Sequence, residues 1–411
     1  MTEILTDTPT AYERAAAKYR PVFERIAAGA LGRELARELP FEQIGWLREA
    51  GFGAARIPAE FGGDGLDWVE FTDLLIELAA ADSNIPQALR GHFALVEDSL
   101  YHHGRGADRS GWLRRFAAGE LAGNAWTEPG AGGTATVLAE TQEGLVLDGR
   151  KFYTTGTIFA DWIDVTAKRP DGSQVSVIIS TRAAGVETYD DWDGVGQRLT
   201  GSGTTIFTGA PVDPVNVFAF ADRFPYQTAL YQHVLLVVLA GIAQAAVEDA
   251  GSQVRERKRV FGHGNAPLVR HDPQILQVVG EISAKAYVAR SAALSVASSL
   301  DRAFAAREQG GAVEKVANIA AELGSARAQT VLSTLVPDAA GAVFNALGAS
   351  STSAGKALDR HWRNARTAAT HNPFIYKARI VGDWEVNGTE PPFIWGVGEA
   401  DQPGAAGPQP G

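Results

Sequence analysis

One interruption governs what this chain can fold into. A stretch of about a hundred residues patterned as strands lies between two stretches patterned as helices. Residues 12–119 carry a period near 3.6. YERAAAKYRPVFERIAAGALGRELARELP alternates apolar and charged positions. Phe41, Ile44 and Leu47 mark a short amphipathic helix closed by Gly51. FTDLLIELAAADSNIPQALRGHFALVEDSLYHHG is apolar enough to be a buried helix pair. From residue 120 to 222 the period drops towards 2, and two Asp-Gly pairs, at 148–149 and 171–172, are the expected hairpin turns. Helix returns over 226–382 in long Ala-rich segments that are apolar on several sides, as in a tightly packed bundle. The expected division is a helical domain over 1–119, a β-barrel or sandwich over 120–225, and a helical bundle over 226–395. The tail, 396–411, is low-complexity and expected to be disordered. A β-module between helical units leaves a crevice where they meet.

Composition removes several chemistries. The 411 residues include no cysteine, and the single methionine is Met1. Disulfides, thiolate metal sites, iron–sulfur clusters and cysteine nucleophiles are therefore excluded, and any redox work needs a borrowed cofactor. Lys and Arg number 37 against 48 Asp and Glu, a net charge of −11. That acidity argues against a nucleic-acid partner. The longest apolar run, Val234–Ile242, is short for a membrane span, and the N-terminus has no apolar core of a signal peptide. The expectation is a soluble, cytoplasmic protein that neither enters a membrane nor binds a metal.

Four short motifs carry chemistry. Asn124-Ala-Trp-Thr-Glu-Pro-Gly-Ala-Gly-Gly133 opens the β region and reads either as a plain loop or as a turn whose amides hold an anion or a carbonyl. Lys151-Phe-Tyr-Thr-Thr-Gly156 alternates aromatic and hydroxyl side chains, as a strand or as the wall of a flat heterocycle. Arg255-Glu-Arg-Lys-Arg-Val-Phe-Gly262 places four cations in five residues, more than a helix C-terminus needs, so a phosphate partner fits. Leu347-Gly-Ala-Ser-Ser-Thr352 reads as a helix–helix turn.

In that order, and over roughly residues 15–395, these motifs resemble the acyl-CoA dehydrogenase superfamily. The resemblance implies an α+β, mostly α fold: an N-terminal helical domain, a central β-domain and a C-terminal four-helix bundle, assembled as a homotetramer. It implies flavin contacts from Trp126, Thr127, Gly132, Phe152 and Thr154. It also implies phosphate contacts from Arg257 or Arg259 and from Gly348, made across a subunit interface. The family's base is a glutamate, and it is missing. Counting from Arg363-Asn-Ala-Arg366, its position falls on Asn372, with His371 just before it. The alternative location, Tyr231-Gln-His-Val-Leu-Leu236, holds no carboxylate.

Arg363-Asn-Ala-Arg-Thr-Ala-Ala-Thr-His-Asn-Pro373 instead resembles the two-component flavin-dependent monooxygenases of this fold, typified by dibenzothiophene monooxygenase. That likeness implies a separate NAD(P)H-dependent reductase, reduced FMN (or FAD), O2, a C4a-hydroperoxyflavin, and a small organic substrate oxygenated at sulfur, nitrogen or aromatic carbon. Catalytic positions under this reading are His371, as acid/base or orienting group, and Thr154, as donor near flavin N5. Asn124 and His92 join them as pocket residues, and Asn372 as a cofactor contact. His92, a lone histidine in a buried helix, is as easily a satisfied core residue. Two other readings stay open: a dehydrogenase or oxidase with tight FAD and a displaced base, and a flavin-free relative.

Overall fold

The computed structural model describes residues 9–128 and 136–394. Six helices come first: α1 (Ala11–Ala36), α2 (Phe41–Glu49), α3 (Trp68–Ala81), α4 (Asn84–Ala88), α5 (Arg90–His103) and α6 (Ser110–Ala117). Their starts are chemically specified. Thr10 with Glu13 and Asp67 with Glu70 form capping boxes on α1 and α3. Gly51 turns left-handed directly after α2, at φ 75°.

Eight strands follow: β1 (Ala122–Ala125), β2 (Val137–Thr141), β3 (Gly144–Lys151), β4 (Trp162–Lys168), β5 (Gln174–Ser180), β6 (Val186–Thr188), β7 (Thr205–Val212) and β8 (Val217–Ala219). They form one mixed sheet in the order β6-β7-β3-β2-β4-β5-β8, with β1 parallel to β4. Its two halves meet through a single residue pair, Val137 with Lys168. Leu138, Leu147, Val165, Val177 and Phe207 fill the core they share.

One expected turn is misplaced and the other is where the sequence puts it. Gly172, at φ 86°, turns β4 into β5. Asp148-Gly149 lies inside β3 and makes a bulge there, with the hairpin turn displaced to Thr141–Gly144. The bulge has a local cause. Asp148 accepts the Gly209 amide at 2.7 Å, and a Cβ on Gly149 would stand 2.6 Å from Thr136.

The last helices are α7 (Gln227–Glu256), α8 (Pro273–Ala306), α9 (Gly311–Leu347), α10 (Asp359–Thr370) and α11 (Ile375–Asn387). The first four of these pack as a four-helix bundle, and α3 lies across α7 and α8. Trp68, Phe71 and Leu75 of α3 share one core with Val234, Val237 and Leu332 of the bundle. Helices α7 and α9 are long and apolar enough to cross a membrane by length and composition, but 83% of the apolar stretch of α7 and 50% of that of α9 are buried inside the fold.

Candidate functional site

Sheet and bundle meet where four chain segments converge: the α4–α5 junction, β1, the start of α7 and the end of α10. Two glycines permit the approach. A Cβ at Gly91 would lie 2.9 Å from Asn124 Oδ1. Gly156 sits at φ 76°, and a Cβ there would lie 1.8 Å from the Ala88 carbonyl. Residues 197–199 close one side. The Gln197 amide donates to Asn364 on α10 at 2.6 Å, and Gln197 Nε2 donates to Ser83 at 2.9 Å.

The chemistry of this recess is a set of buried polar atoms without partners. Arg90 is only 3% exposed, yet its Nε and Nη1 have no acceptor among the described residues. Its Nη2 donates to His371 Nε2 at 2.9 Å. Its guanidinium lies 5.4 Å from the Tyr231 ring centre, and burial pulls its pKa down to about 10, leaving it cationic. The Tyr231 hydroxyl and Asn124 Oδ1 are likewise buried and unpaired. Burial pushes the Tyr231 pKa up, so it remains a neutral donor. Trp126 packs 4.9 Å from Tyr231 and 5.6 Å from Phe220, and Arg223 lies over its face at 4.7 Å.

Asp164, a carboxylate hydrogen-bonded to the Trp126 ring, is fully spent. Its oxygens take Ser176 Oγ, Trp126 Nε1 at 3.2 Å and Arg223 at 2.9 Å. Among the described residues no carboxylate pairs with Arg90, Tyr231 or His371, and the buried Glu322 accepts the Ala229 amide at 2.8 Å. Among the described residues no three metal-ligating side chains cluster either.

His371 ends α10 and is exposed, though protein crowds the ring. That crowding and the Arg90 charge hold its pKa well below the usual imidazole value, opposed by a hydrogen bond with Asn372. Arginine can only donate, so Nε2 of His371 is the acceptor and its proton sits on Nδ1. A ring that accepts from Arg90 in this way is a neutral hydrogen-bonding group.

Other expected residues separate into near and far. Asn124, Trp126, His371 and Asn372 belong to the recess. Thr127 and Phe152 pair as a bridge beside it, with the Phe152 amide donating to Thr127 O at 2.9 Å. Thr154 does not offer a free donor. Its hydroxyl gives its proton to the Gly203 carbonyl at 2.9 Å and accepts from Thr205 at 2.8 Å. His92 is a core histidine: it is fully buried, with Nε2 at 2.9 Å from the Gly53 carbonyl and Nδ1 facing the Ala122 amide at 3.3 Å. Gly132 lies outside the described residues.

Arg257 and Gly348 come together at the far end of the bundle, where Arg257 donates to the Leu347 carbonyl. Arg259 is exposed nearby. Along α7, Arg257 stands about 39 Å from Tyr231, at 1.5 Å per residue. Within one chain these cations cannot share a mononucleotide with the recess. Sequence reasoning missed Arg90 and Tyr231. A charge inside the apolar run IPQALRGHFALV was the available signal for Arg90.

Residues 12–120 match the acyl-CoA dehydrogenase N-terminal domain, and residues 234–375 match the acyl-CoA dehydrogenase C-terminal domain. A probable FMNH2-dependent monooxygenase, SfnC of Pseudomonas putida, is 26% identical over 90% of this chain and 94% of its own. Dibenzothiophene monooxygenase of Rhodococcus qingshengii is 27% identical over 90% and 93%. Among solved structures, TdsC from Paenibacillus sp. A11-2 with FMN and indole superposes with TM-score 0.83 at 26% identity, over 92% of this chain and 98% of that one. The methanesulfinate monooxygenase MsuC from Pseudomonas fluorescens gives TM-score 0.81 at 26% identity over the same shares.

Proposed function

From the premise that the chain belongs to the acyl-CoA dehydrogenase superfamily, we propose that the recess between Arg90, Asn124, Tyr231 and His371 is where a reduced-flavin monooxygenase of that fold performs its reaction. The protein is an FMNH2-dependent oxidoreductase whose reduced flavin comes from a separate reductase and whose substrate is a small organic molecule. The observation that carries the site assignment is the set of buried, unpartnered polar atoms on an aromatic wall, with no described carboxylate paired to them. A dehydrogenase needs that carboxylate as its base; an oxygenase does not.

The residues present fit a flavin. Trp126, Tyr231 and Phe152 would wall the ring, and the Tyr231 hydroxyl and Asn124 amide would meet its polar edge. When bound, FMN supplies the activation of O2 that no side chain of this protein can. The chain's own work is to bind, orient and keep water out. Arg90 holds the Nε2 side of the His371 ring, which places the ring proton on Nδ1. Thr154 braces the loop at Gly203 in place of donating into the site. Cytoplasmic location and a homotetramer are part of the same proposal. In a homotetramer Arg257 or Arg259, with Gly348, would reach the flavin phosphate of a second copy. The relatives' names span methanesulfinate and an aromatic thiophene, so several substrate classes are compared.

The test is a reductase-coupled assay with NADH, FMN and 18O2, run on sulfides, thiophenes, amines, phenols and sulfinates. Oxygenation of one class, with the label in the product, is expected. In His371→Ala, product should fall by about tenfold or more and peroxide release should rise. Wild-type coupling in that variant would remove His371 from the reaction.

A further inference from the structure

The least expected group in the recess is a buried cation with no carboxylate. The other buried arginines of the fold are paired. Arg33 meets Asp82 at 2.9 Å, Arg56 meets Glu97 at 2.8 Å, and Arg223 meets Asp164 at 2.9 Å. Arg90 is as buried as these, at 3%, and no described carboxylate lies within ion-pair distance of it. Burying an uncompensated charge is costly, so a buried and unpaired guanidinium implies that its counter-charge arrives with a ligand.

The donor inventory shows what shape that ligand has. Nη2 has two hydrogens and spends one on His371. Whichever it spends, one edge of the guanidinium keeps two parallel N–H groups: either Nε with Nη2 or Nη1 with Nη2. Nε and Nη1 are both unspent. A parallel N–H pair matches a carboxylate-type or sulfinate-type oxyanion in bidentate geometry. The guanidinium faces the Tyr231 ring, 5.4 Å from its centre, an aromatic neighbour that supplies no anion. His371 reinforces the arrangement, because its neutral ring accepts from Arg90 without supplying an anion.

Resting on the monooxygenase reading above, we propose that Arg90 is the specificity-determining residue of this enzyme, and that its substrate is a small molecule bearing a carboxylate or sulfinate which Arg90 clamps beside His371. The guanidinium fixes the anionic end beside His371, and the remainder of the substrate extends towards the flavin ring that Trp126 and Tyr231 wall. The same oxyanion chemistry also belongs to a flavin phosphate, and the test separates the two.

Full-length protein is titrated calorimetrically, at constant chloride, with benzoate and benzenesulfinate and with the neutral isosteres benzamide and methyl phenyl sulfoxide. Each titration is repeated at saturating FMN. The proposal expects at least one anion to bind about tenfold tighter than its isostere or better, with and without FMN. Arg90→Met should erase the preference, Arg90→Lys should keep part of it, and FMN affinity in Arg90→Met should stay within about twofold of wild type. The wild-type comparison needs no variant, so a poorly folding variant does not shelter the idea. Equal binding of anions and isosteres, or no binding of either, overturns it. Displacement of the anion by FMN also overturns it, by assigning the oxyanion to the flavin phosphate. Failure of FMN itself to bind would instead strike the monooxygenase reading.

Discussion

Two histidines that look equivalent as sequence have opposite fates in the fold. His371 stands at an open helix end against Arg90, whereas His92 is sealed with both ring nitrogens on backbone groups. Burial holds the His92 pKa down at about 4 and that of His233, which pairs with Thr72 at 2.7 Å, at about 3. Both values lie below the ordinary 6.5, so the unfolded chain binds more protons than the folded one as pH falls. The stability these rings contribute is complete above pH 6.5 and is lost on acidification towards pH 4. Each should steepen the loss by up to about 1.4 kcal/mol per pH unit. Denaturant melts between pH 7 and 4.5 should show this slope, and His92→Asn should flatten it. An unchanged acid limb in that variant would mean His92 is not sealed. The sequence left His92 open between core and pocket, because helical periodicity puts both kinds of residue on the same apolar face. Arg90 was harder still. Its importance comes from the absence of a carboxylate in three dimensions, which no spacing along the chain encodes.

At the scale of elements, the strands and helices were legible because each has its own hydrophobic period. The Asp-Gly at 148–149 was not, because one dipeptide serves a hairpin turn and a bulge equally well and only the partner strand decides. Thr154 failed for a similar reason: a hydroxyl assigned to the flavin edge is consumed by Gly203, a residue almost fifty positions away. The junction itself depends on tight backbone contacts. Gly156 and Gly172 both have positive φ, but Gly172 faces open space and Gly156 lies against the Ala88 carbonyl. Gly156→Ala should therefore destabilise by about 2–4 kcal/mol, against about 1 kcal/mol for Gly172→Ala. Because Ala88 leads directly into Arg90, the first variant should also lower oxygenation, and the second should not. Thermal melts with parallel turnover measurements check both. Equal costs at the two positions would contradict the packing described at the junction.

Over the whole molecule, the order helices–sheet–bundle and the family resemblance were readable from the chain, and the absent glutamate pointed to the oxygenase branch. What the single chain does not do is bring Arg257 and Gly348 to the recess, about 39 Å away along α7. If these residues serve a flavin, it is one held mainly by another copy. Sedimentation should accordingly find an assembly larger than one chain, and Arg257→Ala should weaken FMN binding about tenfold with that assembly intact. A monomer with undiminished FMN affinity would confine Arg257 to capping its own bundle. The absence of cysteine and of any methionine beyond Met1 fits a protein that handles activated oxygen with a borrowed cofactor. As a reduced-flavin monooxygenase, this protein takes reduced FMN from solution and governs its reaction with O2. Rapid mixing of air-saturated buffer with reduced FMN, in the presence and absence of the protein, measures that directly. The protein should delay the return of oxidised FMN by more than about tenfold. Oxidised FMN appearing at the same rate in both, with the protein instead carrying tight FAD that bleaches on addition of an acyl-CoA, would contradict it.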